Sequence, residues 1–284
     1  MLAVEEDLYL PSEARAAAPR QIQALFLPPV PSTGVRIENS FIPVRGVGET
    51  TERRLWEHGI THWDDFDGSV VGDTLADRIE DFIADGRQHL EQGNLTPFAE
   101  ALPASSRWRL YENVREKTCF LDIETTGLDA TSNDVTTVSL HRGGETKTFV
   151  KDRDLTSDRL AAELESASLL VTFNGQRFDV PFLETCYNVD VTTPHVDLMY
   201  PCKKVGLDGG LKAIEQDLGI EREMPDISGR DAVRLWHEYE RGDEGALETL
   251  VEYNRADTKN MEPLMDRVAT RLHEEVFESV QRTA

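Results

Sequence analysis

Residues 118–123, Thr-Cys-Phe-Leu-Asp-Ile, are β-branched and apolar enough to be driven into a core as a strand, yet the run carries Asp122 and closes on Glu124. Two residues apart on a strand, these side chains point to the same face, and the next four residues, Thr-Thr-Gly-Leu, form the turn that ends it. Like charges this close repel and raise each other's pKa, so keeping both ionised calls for a cation between them. The same short stretch therefore constrains the fold, which must bury the strand, and the chemistry at its end.

Thr118 also marks a change of pattern. Strands are expected over 118–123, 134–141 and 145–150, the last two joined by a tight Arg-Gly-Gly turn. A helix over about 156–166, a strand over 168–173, a helix from about Arg177 and a short strand near 195–199 follow. Helices are expected over about 209–218, 228–240, 243–260 and 262–279. An antiparallel three-strand start followed by alternating α and β units predicts an α/β fold, a mixed sheet flanked by helices.

Upstream the chain is helical. A helix over 49–58 is ended by Gly59, Thr61 caps a short helix carrying Trp63 and Phe66, and a helix over about 74–92 turns Leu75, Ile79, Phe82, Ile83 and Leu90 to one face. Residues 1–39, with the Pro-rich FLPPVPSTG, read as an arm or linker. The expected organisation is thus an arm over 1–39, a helical domain over 40–106 and an α/β domain over 107–284.

Composition narrows the setting. The longest apolar runs, such as Leu-Leu-Val-Thr-Phe at 169–173, fall far short of a membrane span, and the first residues lack a basic start followed by an apolar run, so a cytoplasmic protein with no membrane partner is expected. Cys119, Cys186 and Cys202 lack the short paired spacing of zinc or redox sites and read as reduced thiols. The net charge of −23, with only seven lysines, suggests a halophile, in which surface carboxylates hold water against molar salt. In such salt counterion release contributes little to phosphate binding, so the acidic balance does not exclude a nucleic-acid substrate.

Partners for the strand-end acids stand elsewhere in the sequence. The run LLVTFNGQRFDVPFL at 169–183 is another buried strand, an Asn-Gly turn and then Asp179 in the first turn of a helix. In YNRADTKN, Tyr253 and Asp257 are four apart and share a helix face. Singly, Asp179 reads as a charge favoured at a helix N-terminus, Asp257 as a solvent-facing residue and Glu124 as a partner for an Arg. Together with Asp122 they read as a metal site. His195, near a strand end, reads as structural.

In order and spacing, FLDIETTG, TFNGQRFDVPFL and the Tyr-x-x-x-Asp of Tyr253 and Asp257 resemble the three motifs of the DEDD exonucleases, which share the ribonuclease H-like fold. Tyr rather than His before the last Asp resembles the DEDDy subclass. HVDLMY (195–200), LKAIEQDLGIERE (211–223) and DISGRDAVRLWHEYERGD (226–243) look like the YprB-like, ribonuclease H-like predicted exonucleases, so the resemblance covers about 107–262. It implies that Asp122, Glu124, Asp179 and Asp257 hold two Mg²⁺ or Mn²⁺ ions roughly 4 Å apart, one activating water and the other stabilising the leaving 3′ oxygen. Tyr253 would orient or help deprotonate that water. Thr125, Asn174 and Phe178 are placed against nucleic acid, DNA or RNA held by its 3′ end, though Asn174 equally supports the turn and Phe178 equally packs. The implied activity is a 3′ to 5′ exonuclease. A structure-selective endonuclease or ribonuclease on the same fold, or a non-catalytic nucleic-acid scaffold, are the alternatives.

The N-terminal VRGVGETTERRL resembles a helix-hairpin-helix motif, whose Gly-apolar-Gly turn offers backbone N–H groups, here at Gly46 and Gly48, to a DNA phosphate. A helix-helix corner that needs two glycines has the same sequence.

Overall fold

The run that carries the two acids is a strand, β1 (Thr118–Thr125), and it lies at the centre of a five-stranded sheet. In the computed structural model, residues 35–222 and 227–281 are described. β2 (Val135–Arg142) pairs antiparallel with β1, and β3 (Glu145–Val150) antiparallel with β2 across Gly143 and Gly144, whose φ angles of 56° and 79° give the tight turn. On the other side of β1, β4 (Leu169–Thr172) and β5 (His195–Asp197) add in parallel, giving the order β3-β2-β1-β4-β5. The mixed sheet flanked by helices is the architecture expected from the pattern.

Alternation along β1 sorts its side chains between two helical layers. Cys119, Leu121 and Ile123 pack with Leu160 and Leu164 of a helix over Ser157–Glu165 and with Phe182 and Leu183 of a helix over Asp179–Tyr187. Phe120 points the other way, into a core with Met261, Leu264, Met265 and Val268 of the long helix Glu244–Leu272. By the same alternation Asp122 and Glu124 lie on the face of this long helix.

The larger core also takes in the upstream helices, α1 (Glu49–Glu57), α2 (Asp73–Glu91) and α3 (Thr96–Ala101), through Leu55, Trp56, Trp63, Ile79 and Phe98. The remaining helices, in chain order, are α4 (Ser157–Glu165), α5 (Asp179–Tyr187), α6 (Met199–Lys204), α7 (Leu211–Leu218), α8 (Gly229–Glu240) and α9 (Glu244–Leu272). The segment Ala104–Asn113, a 3₁₀ stretch for which the sequence pattern gave no element, buries Trp108, Leu110 and Tyr111 in this core. Its Arg109 meets Glu52 of α1 in a fully buried ion pair at 2.9 Å, and Glu52 also accepts from Ser40 Oγ at 2.7 Å. Of the arm expected over 1–39, residues 1–34 lie outside the described residues; Val35 and Ile37 are buried in the same core.

Two expectations are corrected. The helices placed over 243–260 and 262–279 are one helix, α9, continuing into a π-helical turn at His273–Glu278. Pro263 lies inside it and removes a single N–H, while Met261, Leu264 and Met265 on either side hold the helix against the sheet. The second short helix is a 3₁₀ turn, Trp63–Asp65, capped by the His62 ring accepting from Asp64 N, whereas Thr61 donates to Asp65.

Candidate functional site

β1 carries Asp122 and Glu124 beyond the point where β4 ends, and its register with β2 breaks between Glu124 and Thr125. A sheet irregularity of this kind re-aims the side chain beside it. α9 crosses the same face and brings Asp257, so that one carboxylate oxygen from each of Asp122, Glu124 and Asp257 lies within 4.8 Å of the others. Tyr253, one turn earlier on α9, is buried in a third apolar cluster with Leu235 and Trp236 of α8 and bonds to Asp257.

Asp179 arrives from the opposite layer. It is the first residue of α5, is buried, and takes a hydrogen bond from the Ile123 backbone between the two strand acids. It therefore lines the same cleft as the other three acids without joining their close cluster. That cleft, of about 900 Å³, takes in Asp122, Glu124, Asp179, Tyr253 and Asp257 together with Thr125, Asn174 and Phe178.

The electrostatics follow from this crowding. Burial first, then the charges of Asp257, Asp179 and Glu124, push Asp122 well above the usual carboxylate range, against the Asn254 hydrogen bond. Burial and the charges of Asp257 and Asp179 carry Glu124 up to about 8, opposed by Lys212. Asp179 rises to about 7, chiefly by burial and with a further push from Asp197, while bonds from its own and the Ile123 backbone hold it down. The Tyr253 phenol is driven far up by burial and by the carboxylates of Asp257, Glu124 and Asp122, so it stays a neutral donor.

Supporting residues were legible only in part. Asn254, fully buried, donates to Asp122 Oδ2 at 2.7 Å and accepts from Thr137 Oγ1 at 3.0 Å. Thr137 is the β2 residue paired with Glu124, so one amide ties β1, β2 and α9 together. Its signal was present in Tyr-Asn-Arg-Ala-Asp, three residues before Asp257, but a lone Asn on a helix names no partner. The N-terminal end of α8, with Ser228, Gly229 and Arg230, forms another wall of the cleft, and Leu128, 87% exposed, lies at its edge.

The Asn-Gly turn is held from below. Asn174 has a φ of 63°, and the buried Asp197 accepts from the N–H of Asn174 at 2.8 Å and of Gln176 at 3.2 Å. A Cβ at Gly175 would stand 2.3 Å from Thr172 Oγ1, so Gly175→Ala is expected to cost about 1–3 kcal/mol and lower the melting temperature in a thermal scan. His195, whose ring bonds Thr172 Oγ1 at 2.8 Å, is pushed down to about 4 by burial and by Arg107, in keeping with a structural reading. Thr125 donates its hydroxyl to Gly127 O at 2.6 Å, and the Phe178 ring packs on Phe182 at 4.9 Å while still facing the cleft.

Gly46 and Gly48 are not among the residues lining the cleft. Gly46 has a φ of 103°, and Gly48 is the N-cap of α1. The element before them is a 3₁₀ turn, Ile37–Asn39, rather than a helix, so the described residues hold a turn and one helix there. No helix of the described residues is long and apolar enough to cross a membrane.

A family model described as RNase_H superfamily matches residues 119–269, more than half of the chain. No curated protein matches it. Among solved structures, a family B DNA polymerase from the hyperthermophilic archaeon Pyrobaculum calidifontis is similar with a TM-score of 0.42 and 15% identity, covering 54% of this chain and 27% of the polymerase. A structure described as the apo form of the nuclease is similar at a TM-score of 0.40 and 21% identity, over 60% of this chain and 80% of that one. Brucella melitensis NrnC bound to pGG is similar at a TM-score of 0.35 and 15% identity, over 58% of this chain and 88% of NrnC. The chain thus spans little more than a quarter of the polymerase.

Proposed function

The chain belongs to the RNase H superfamily, and from that premise we propose that it is a divalent-metal-dependent nuclease, acting as a 3′ to 5′ exonuclease of the DEDDy type similar to the YprB-like group. The observation that carries this reading is the meeting of Asp122, Glu124 and Asp257 from β1 and α9 within 4.8 Å, at the head of a cleft that also holds Asp179 and Tyr253.

The donor set fits the proposed ions. All four acids offer hard oxygens, which suit Mg²⁺ or Mn²⁺ rather than a thiophilic metal. Burial first, and then the neighbouring carboxylates, raise Asp122, Glu124 and Asp179, and a divalent ion would relieve this crowding of negative charge. Two bound ions would supply Lewis-acid stabilisation of the charge that develops on the attacking and leaving oxygens of a phosphodiester. Asp122, Glu124 and Asp257 would hold the ions, with Asp179, which lines the same cleft, as the further carboxylate. Tyr253, kept as a phenol by burial and by the carboxylates around it, would orient the attacking water through its hydroxyl. Phe173, Phe178 and Leu128 give the cleft apolar surface on which bases rest beside the acids.

Asn254 fixes Asp122 and lies outside the cleft lining. Asn254→Leu is expected to weaken Mn²⁺ binding about tenfold, as the loss of an outer hydrogen bond to a ligand does, read by calorimetric titration.

The activity is tested with purified protein in Mn²⁺ and high salt, offered single- and double-stranded DNA and RNA labelled at either end. A ladder of products growing from the 3′ end is the expected result. Internal fragments would replace the exonuclease with an endonuclease, and nucleic-acid binding without divalent dependence or cleavage would leave a scaffold. Repeating the assay in low salt tests the halophilic reading, which expects activity and fold to decline.

A further inference from the structure

Beside the acid cluster, outside the residues that line the cleft, stands an Arg whose two edges grip two carboxylates. Arg222 Nη1 donates to Asp257 Oδ1 at 2.5 Å, and Arg222 Nε bonds Glu215 Oε2 of α7. The Glu215 side chain is 1% exposed, Arg222 15% and Asp257 11%. Neither Glu215 nor Arg222 lines the cleft, whereas Asp257 does. A rigid guanidinium fork held at both edges defines the orientation of each carboxylate it meets, which a flexible ammonium does not.

We infer that Arg222 and Glu215 are positioning residues for Asp257: the guanidinium engages one carboxylate oxygen so that the other is aimed into the cluster, and Glu215 cancels the guanidinium charge so that it positions without repelling the cation. The inference rests on the metal-site reading above. A positive charge beside a divalent ion's ligand normally opposes that ion, at any effective dielectric. A buried acid on the far edge of the same guanidinium makes the pair neutral as a unit, so that the guanidinium charge is offset beside the cation's ligands. Nothing in this arrangement requires Arg222 to touch substrate.

The test is Mn²⁺ binding to the full chain at fixed salt, read by the electron paramagnetic resonance signal of free Mn²⁺, with thermal melts of the metal-free protein alongside. Arg222→Gln is expected to weaken binding about tenfold, even though removing a positive charge by itself strengthens attraction for a cation. Arg222→Lys, which keeps the charge but cannot reach both acids in fork geometry, is expected to fall between wild type and Arg222→Gln. Binding by Arg222→Gln that equals or exceeds wild type would overturn the inference, because the guanidinium would then be a competitor of the ion or mere packing. If Arg222→Gln does not fold, the near-isosteric Glu215→Gln carries the test: its guanidinium is uncompensated and Mn²⁺ binding weakens, and unchanged binding overturns the inference equally. A wild-type protein that binds no Mn²⁺ defeats the metal-site reading itself, which separates the two failures.

Discussion

Asp122→Asn lowers metal-dependent cleavage by about a thousandfold or more, the equivalent of several kcal/mol of lost transition-state stabilisation, and leaves the metal-free fold at least as stable as wild type. The two halves of this expectation have one cause. Asp122 is the most crowded of the acids, with its charge opposed by burial and by Asp257, Asp179 and Glu124. Neutralising it removes a hard oxygen ligand from the cluster and at the same time removes repulsion from the folded state. The Asn oxygen still accepts from Asn254, so the tie to Thr137 survives. Single-turnover rates in Mn²⁺ measure the first half and a thermal melt in EDTA the second. Full activity in the variant would dispose of the proposed chemistry; a large fall in melting temperature would mean that Asp122 serves the fold.

The second large effect is on stability as a function of pH. The folded-state values of Glu124 and Asp179, about 8 and about 7, stand above the ordinary 4.5 and 3.8 of their unfolded counterparts. The folded protein therefore binds more protons than the unfolded chain between these values, and stability falls as pH rises. The contribution is whole below about pH 4 and is lost by about pH 8, and at about 1.4 kcal/mol per pH unit for each such group it amounts to several kcal/mol. Metal-free protein should accordingly melt higher at pH 5 than at pH 8. Mn²⁺ reverses the trend, because the ion binds ionised carboxylates: its increment in melting temperature grows from pH 5 to pH 8. The high net charge of −23 pushes in the same direction, and Glu124→Gln separates the two, since it flattens the slope only if the cluster is its source. A metal-free melting temperature that rises over this range would contradict the account.

The legibility of this chain differs between its parts for physical reasons. β1 and the acids it delivers were readable because a strand has a period of two, so sequence spacing alone places Asp122 and Glu124 on one face. Tyr253 and Asp257 were readable for the matching reason on a helix. Which face of the sheet α9 would cover, and hence that Asp257 would join the strand acids more closely than Asp179, is set by packing across the whole domain. Asn254 and Arg222 act through single hydrogen bonds to residues 132 and 35 positions away, and no local pattern encodes such partners. The two-helix reading of 243–279 failed at Pro263, where tertiary contacts outweigh a local preference. The Gly-Val-Gly turn shows the opposite limit: Gly46 does need its positive φ, and a 3₁₀ turn stands before it, but a helix-helix corner and the larger motif need the same glycines, so the local signal does not choose between them.

The arrangement of the acids on two helical layers makes the candidate site a fastener as well as a reaction centre. Asp122 and Glu124 come from the middle of the chain, Asp257 from its last long helix on one side of the sheet and Asp179 from α5 on the other. An ion bound among them adds its binding free energy to the closed sandwich and nothing to a chain in which either layer has come away. At a free concentration a hundred times its dissociation constant, such an ion contributes about 2.7 kcal/mol to the folded state. An occupied site would thereby tie the stability of the fold to the supply of the divalent ion on which the proposed activity depends.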